Sequence, residues 1–173
     1  MIGASGGIGH ALLQALQHSP AFSQVVGIGR STLPALDLLD ESSIQSAAAD
    51  IAARRAPLRL LIDVTGFLHD SQVKPERSWR DLNSAQMSQA FPINAVGPAL
   101  LMKHFLPILP REGKSVFASL SAKVGSIGDN RLGGLVQLSR LESCPQPIRE
   151  NRRTGVTSSK SCCALRRIAP GHG

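Results

Sequence analysis

Gly3-Ala4-Ser5-Gly6-Gly7-Ile8-Gly9 is the stretch on which the reading of this chain turns. It follows Met1-Ile2, which reads as the end of a strand. It opens a run in which Ala11, Leu12, Ala15 and Leu16 recur at helical spacing. Glycines spaced G-x-x-x-G-x-G between a strand and a helix let backbone N–H groups approach a pyrophosphate, which then rests on the helix N-terminus. An ordinary tight turn is the competing reading, and the alternation of strands and helices downstream argues against it. Gly3, Ser5, Gly7, Ile8 and Gly9 are therefore candidate cofactor-binding residues, with Gly6 completing the turn.

Outward from the turn, Val25-Val26-Gly27-Ile28 reads as a short buried strand, with Arg30 just beyond it. Dinucleotide folds place their ribose-reading residue roughly twenty residues past the glycines. An acid there favours NAD, whereas an arginine suits the 2′-phosphate of NADP. The alternative for Arg30 is a solvated loop residue. Leu36-Asp37-Leu38 reads as a shorter strand. Asp40 or Ser42 caps a helix through Ile44, Ala47, Ala48 and Ile51. Leu58–Ile62 is the next strand, ending at Asp63. Ser84–Phe91 and Ile93–Leu109 are helical, with Pro92 at the join, and Ser115–Ser121 is a further strand. Alternation of this kind predicts an α/β, Rossmann-like, doubly wound parallel sheet covered on both faces.

The chain has 173 residues, 42% hydrophobic and 18% charged, enough for one domain with a sizeable core. No apolar run approaches the ~20 residues of a membrane span, and no signal-peptide pattern opens the chain. Aromatic residues make up 3% and tyrosine is absent, so no phenol can act as acid or base. The formal net charge of +7 is uneven: residues 1–134 carry a net +2 and residues 135–173 a net +5. A basic tail can bind nucleic acid, but no aromatic residues interleave here and no binding motif accompanies it. Cys144, Cys162 and Cys163 all lie in that tail, at no zinc or redox spacing. They suggest no disulfide framework, so a reducing cytoplasm is the expected setting and no metal is expected. From about Leu135 no period of either kind is sustained.

These motifs resemble the short-chain dehydrogenase/reductase family, closest to its C-factor-like subgroup, over about residues 1–134. The family's cofactor glycines match Gly3, Gly7 and Gly9. Its acidic residue after the third strand, which contacts adenine, matches Asp37. Its N-N-A-G turn appears as Asp63-Val64-Thr65-Gly66, where only Gly66 agrees. The helix asparagine of the catalytic tetrad matches Asn94, and the strand-end serine matches Ser121. Ser119 is a neighbour of Ser121 on its strand, and alignment on Gly125 would instead put Ala122 at the serine position. His69-Asp70 is a solvated loop pair or part of a substrate pocket. The resemblance implies a hydride-transfer oxidoreductase acting on a small carbonyl or alcohol. It implies NADP as cofactor, with NAD as the alternative. It also implies a 3-2-1-4-5 strand order and a homo-oligomer.

The tyrosine and lysine of the family's Y-x-x-x-K motif are missing. Ser159-Lys160 does not replace them, because Val156 stands four residues before Lys160. The genetic code suggests why. With the frame displaced by one nucleotide after Gly134, the codons from Leu135 onward permit W-Y-S-Y-R-A-S-K-A-A-L-N, the family's tyrosine–lysine helix. On this reading residues 135–173 are an out-of-frame tail, expected to be poorly ordered apart from apolar pieces that form helix. The chain is then a family member truncated at both ends, with most of its first strand, its later strands and helices and its subunit interface lost. It is expected to be inactive as written. A non-catalytic dinucleotide-binding module and a pseudogene-like fragment are the alternatives. Sequencing the gene around codon 134 tests the reading: a displaced frame without Y-x-x-x-K removes it.

Overall fold

The computed structural model describes residues 1–68 and 79–120, and the backbone of two strands at Val156–Ser159 and Cys162–Arg167. In chain order, helix α1 is Gly7–Gln17, α2 is Glu41–Ala52, strand β1 is Leu60–Asp63, α3 is Ser84–Phe91 and α4 is Gly97–Phe105. Strand β2 is Ser115–Ser119, followed by β3, Val156–Ser159, and β4, Cys162–Arg167.

β1 and β2 are parallel, with Leu60 opposite Val116 and Asp63 opposite Ser119. On the other side of β1, Ile2 forms parallel bridges to both Asp63 and Ile28, and Gly29 bridges Ala35. The parallel part of the sheet therefore runs Ala35, Ile28, Ile2, β1, β2, which is the expected 3-2-1-4-5 order. The predicted strand at Val25–Ile28 shrinks to the bridge at Ile28, and Leu36–Leu38 forms no strand, the bridge falling at Ala35 just before it. A ladder is no longer than its partner, and Met1-Ile2 offers Ile28 only two backbone bonds, Ile28 N–H to Met1 O at 2.8 Å and Gly3 N–H to Ile28 O at 3.0 Å.

β4 pairs antiparallel with the outer edge of β2, Phe117 facing Leu165, and β3 pairs antiparallel with β4. The backbone of these tail segments is thus strand, where the sequence reading allowed helix. An open sheet edge offers a row of unpaired N–H and C=O groups to any extended segment.

α2 forms because its signals are local. Asp40 accepts from Ser42 N at 2.9 Å and Ser42 Oγ at 2.7 Å, and these bonds hold its carboxyl below the usual carboxylate range. Ile44, Ala47, Ala48 and Ile51 fall on one face, and all four are buried. That face packs into a core with Ile2, Ile28, Leu36, Leu61, Leu101, Phe105, Leu109 and Phe117.

Pro92 does not break the helical run. Its φ of −57° and ψ of −39° continue the helix, and the chain widens into a π-helical turn at Pro92–Val96. Gly97 N–H then reaches back five residues to Pro92 O. The wider turn accommodates a residue that lacks an N–H and crowds the preceding carbonyl. Phe105 is fully buried, in the same core cluster as Ile44 and Ile51 of α2 and Leu61 and Phe117 of the sheet. Phe105→Ala is expected to cost ~3–5 kcal/mol, read as a fall in the denaturation midpoint with little change in slope.

Candidate cofactor cleft

Parallel topology sets the place of the site. Ile2, Ile28, Asp63 and Ser119 lie near one level of the sheet. The segments that leave them, Gly3–Gly6, Gly29-Arg30, Val64–Gly66 and Leu120, emerge together at the carboxyl ends of the strands. Open α/β sheets bind their ligands at that edge.

The glycine turn is built by close approach. Gly3 has φ of +81°, which favours glycine. A Cβ on Gly9 would stand 2.1 Å from Gly3 O, so α1 can lie this close to the turn only with glycine there. Gly7 is different: a Cβ there would meet nothing within 4 Å. Ser5, Gly6 and Gly7 are exposed, and the Ile8 side chain is 67% exposed. α1 carries no side-chain cap and no acidic residue in its first turn. Its first N–H groups and the positive end of its dipole therefore face open space, which suits an anion such as a pyrophosphate.

Arg30 is exposed at the end of the second strand position. The loop behind it is held by Thr32, whose Oγ1 accepts from Gly29 N at 2.8 Å and sits 2.7 Å from Pro34 O. Asp37 is half-buried. Its Oδ1 accepts from Leu39 N at 3.0 Å and its N–H donates to Ser43 Oγ at 2.9 Å, so its carboxylate helps turn the chain into α2.

Asn94 lies in the π turn and uses both ends of its amide on one residue across the cleft. Its Oδ1 accepts from Phe67 N at 2.7 Å and its Nδ2 donates to Phe67 O at 2.6 Å. A Cβ on Gly66 would be 3.8 Å from that Oδ1. Asn94 and Gly66, 28 positions apart in the sequence, are thus neighbours. Ser121 and the pair His69-Asp70 lie outside the described residues.

Sequence reasoning assigned no role to Asp63, which it treated as a mismatch in the turn after β1. The carboxylate is fully buried. Oδ1 accepts from Thr65 N at 2.9 Å and from Thr65 Oγ1 at 2.5 Å, and Oδ2 accepts from Ser119 Oγ at 2.9 Å. Asp63 therefore ties the end of β1 both to its own loop and to the end of β2. Burial pushes its carboxyl above the usual range, while the Thr65 and Ser119 hydrogen bonds pull it back. The available signal was an aspartate ending an apolar strand with a threonine two residues on, the pattern of a side chain closing its own turn.

A raised carboxyl value means that the folded state holds the proton more tightly than the unfolded chain. The associated stability is complete below the ordinary carboxyl value and is lost as pH rises through the raised one. Asp63→Asn keeps an acceptor for Thr65 and cannot ionise. Its melting temperature, relative to the unchanged chain, is expected to rise from pH 4 to pH 8, by about 3 °C at the upper end. Parallel melts across that range check this.

No protein-family model matches the chain, and no curated protein matches it. Solved structures do. Carbonyl reductase Sniffer of D. melanogaster is 19% identical at a TM-score of 0.67, the match covering 83% of this chain and 68% of that one. A carbonyl reductase from Pseudomonas aeruginosa PAO1 is 20% identical at 0.65, covering 83% and 69%. A Burkholderia multivorans protein, provisionally assigned as a short-chain dehydrogenase/reductase and solved with bound NADP, is 20% identical at 0.66, covering 83% and 66%. This chain has the short-chain dehydrogenase/reductase fold. In that fold the glycine turn, Arg30 and the Asn94–Gly66 contact occupy one continuous edge. Among the described residues no helix is long and apolar enough to cross a membrane. Among the same residues, no cluster of three His, Cys, Asp or Glu side chains could hold a metal ion.

Proposed function

We propose that the chain is a short-chain oxidoreductase by descent that binds NADP and does not turn over. The observation that carries this reading is the open, uncapped N-terminus of α1 at Gly6–Ile8. The cleft fits the cofactor: backbone N–H groups of the first turn would hold the pyrophosphate, and Arg30 would meet the 2′-phosphate. When bound, the nicotinamide supplies the hydride acceptor or donor for a small carbonyl or alcohol substrate.

What this chain lacks is the proton. A carbonyl gaining hydride needs an acid within hydrogen-bond reach, and the family's phenol is absent because the sequence contains no tyrosine. Asn94 spends its side chain on Phe67, where it positions the loop after β1 rather than donating to a substrate. Ser121 would orient a carbonyl without protonating it. The frame displacement after Gly134 explains the loss and the basic tail together.

Titrating the 173-residue chain with NADPH by cofactor fluorescence is expected to give saturable binding, with no oxidation when a small ketone or aldehyde is added. Turnover overturns the inactive reading. Loss of saturable binding overturns the cofactor reading and, if cooperative unfolding is also absent, favours the fragment alternative. Gly7→Asp places a carboxylate in the open space at the α1 N-terminus. It is expected to weaken NADPH binding at least ~10-fold while leaving the melting temperature unchanged or higher. Arg30→Ala is expected to weaken NADPH ~10-fold and NADH little.

A further inference from the structure

At the end of the sheet opposite the cofactor cleft, a cavity of about 230 Å³ opens directly beneath Met1. Its walls include Val25 and Val26 on one side and Leu58, Leu60 and Ile62 on the other, with Phe105 also lining it. It is bounded by two backbones that run parallel and are joined only at the top. There, Ile2 N–H donates to Ile62 O at 2.8 Å, and Val64 N–H donates to Ile2 O at 3.1 Å.

The ladder shows which groups face the gap. Val116 N–H donates to Arg59 O and Leu120 N–H to Asp63 O, so the odd-numbered residues of this strand turn their backbone toward β2. The even-numbered ones turn the other way. Leu60 therefore directs both its N–H and its C=O into the gap, and Ile62 directs its N–H there. Among the described residues no backbone bond reaches any of these three groups. Backbone groups in the middle of a sheet are normally paired.

Met1 caps the gap from above. Its amine is part-buried, donates to Val26 O at 2.5 Å and has no carboxylate partner among the described residues. Burial lowers its pKa from 8.0 to about 6. A strand entering parallel to β1 would run toward that amine and present its C-terminal carboxylate to it.

We propose that this gap is a strand-receiving slot that takes, in trans, an apolar extended peptide of about four residues with a free C-terminal carboxylate. The length follows from the span of Leu58–Ile62 at about 3.3 Å per residue. Main-chain bonds to Leu60, Ile62 and Val26 would hold the peptide, as in strand addition to an open sheet edge. The apolar walls select β-branched and aliphatic side chains, and the Met1 ammonium selects the carboxylate. The slot is on the opposite side of the sheet level from the cofactor edge, so the inference is independent of NADP binding.

The test uses the 173-residue chain and the peptide acetyl-Lys-Val-Thr-Leu-Val in its free-acid and amide forms. Calorimetric titration is expected to show saturable binding of the acid and at least ~10-fold weaker binding of the amide. Nα-acetylation of Met1 is expected to erase that difference. Hydrogen exchange is expected to slow at the Leu60 and Ile62 amides when the acid form is added, with little change at Leu61, whose amide already pairs with β2. Absence of saturable binding, equal binding of acid and amide, or unchanged exchange at Leu60 and Ile62 overturns the proposal. So does a chain found dimeric by sedimentation with these two amides protected before peptide is added, since a second copy would then fill the slot. Val26→Pro removes a facing N–H from a segment outside the β1–β2 ladder and is expected to weaken the peptide at least ~5-fold while cooperative unfolding is retained.

Discussion

Ile2 holds the two halves of this sheet together. Its N–H and C=O bind Ile62 and Val64, and the residues on either side of it bind Ile28. The side chain is 1% exposed and lies in the same core as Ile28, Leu61 and Phe117. Without this one wedge the segment at Ile28 and the strand at Leu60–Asp63 share no backbone bond. The glycine turn begins one residue later, so the interaction that closes the sheet also fixes where α1 starts and where its N–H groups point.

Beyond that wedge, at the carboxyl ends of the strands, the sheet is crowded. Gly9 lies so close to Gly3 O that no side chain fits between them, yet Gly7, two positions earlier, faces empty space. The contrast separates two uses of glycine in a single motif: one permits packing, the other leaves room for a ligand. Asp63 works on the same level. It adds a side-chain tie to the backbone ladder, joining β1, the loop at Thr65 and β2 through one buried carboxylate. That arrangement keeps the strand ends in register at the cleft, at the cost of a desolvated acid.

The helices were legible because their signals are local. The cap at Asp40 and the spacing of Ile44, Ala47, Ala48 and Ile51 specify α2 without reference to anything else in the chain. The strands were legible as apolar runs but not as ladders. Val25–Ile28 has the composition of a strand, yet its pairing stops at a single bridge because its neighbour there is two residues long. Pro92 was legible as a disturbance between two helices, but not as the start of a π turn, since the preceding residues could as well have frayed. The tail was legible as a change of texture, while the pairing of Cys162–Arg167 with β2 depends on an edge that exists only once β2 is in place.

By itself, the sequence determined the alternation of strand and helix, the glycine turn and the absence of any phenol, because each is a matter of residue identity at short spacing. Only the tertiary structure decided that Asn94 binds Phe67 and that Asp63 binds Ser119. It also decided that Ile2 lies between Ile28 and Ile62. These depend on which backbones lie side by side. Pairing between segments 27 or 56 residues apart is set by burial and register across the whole sheet, and nothing in the intervening sequence encodes it locally.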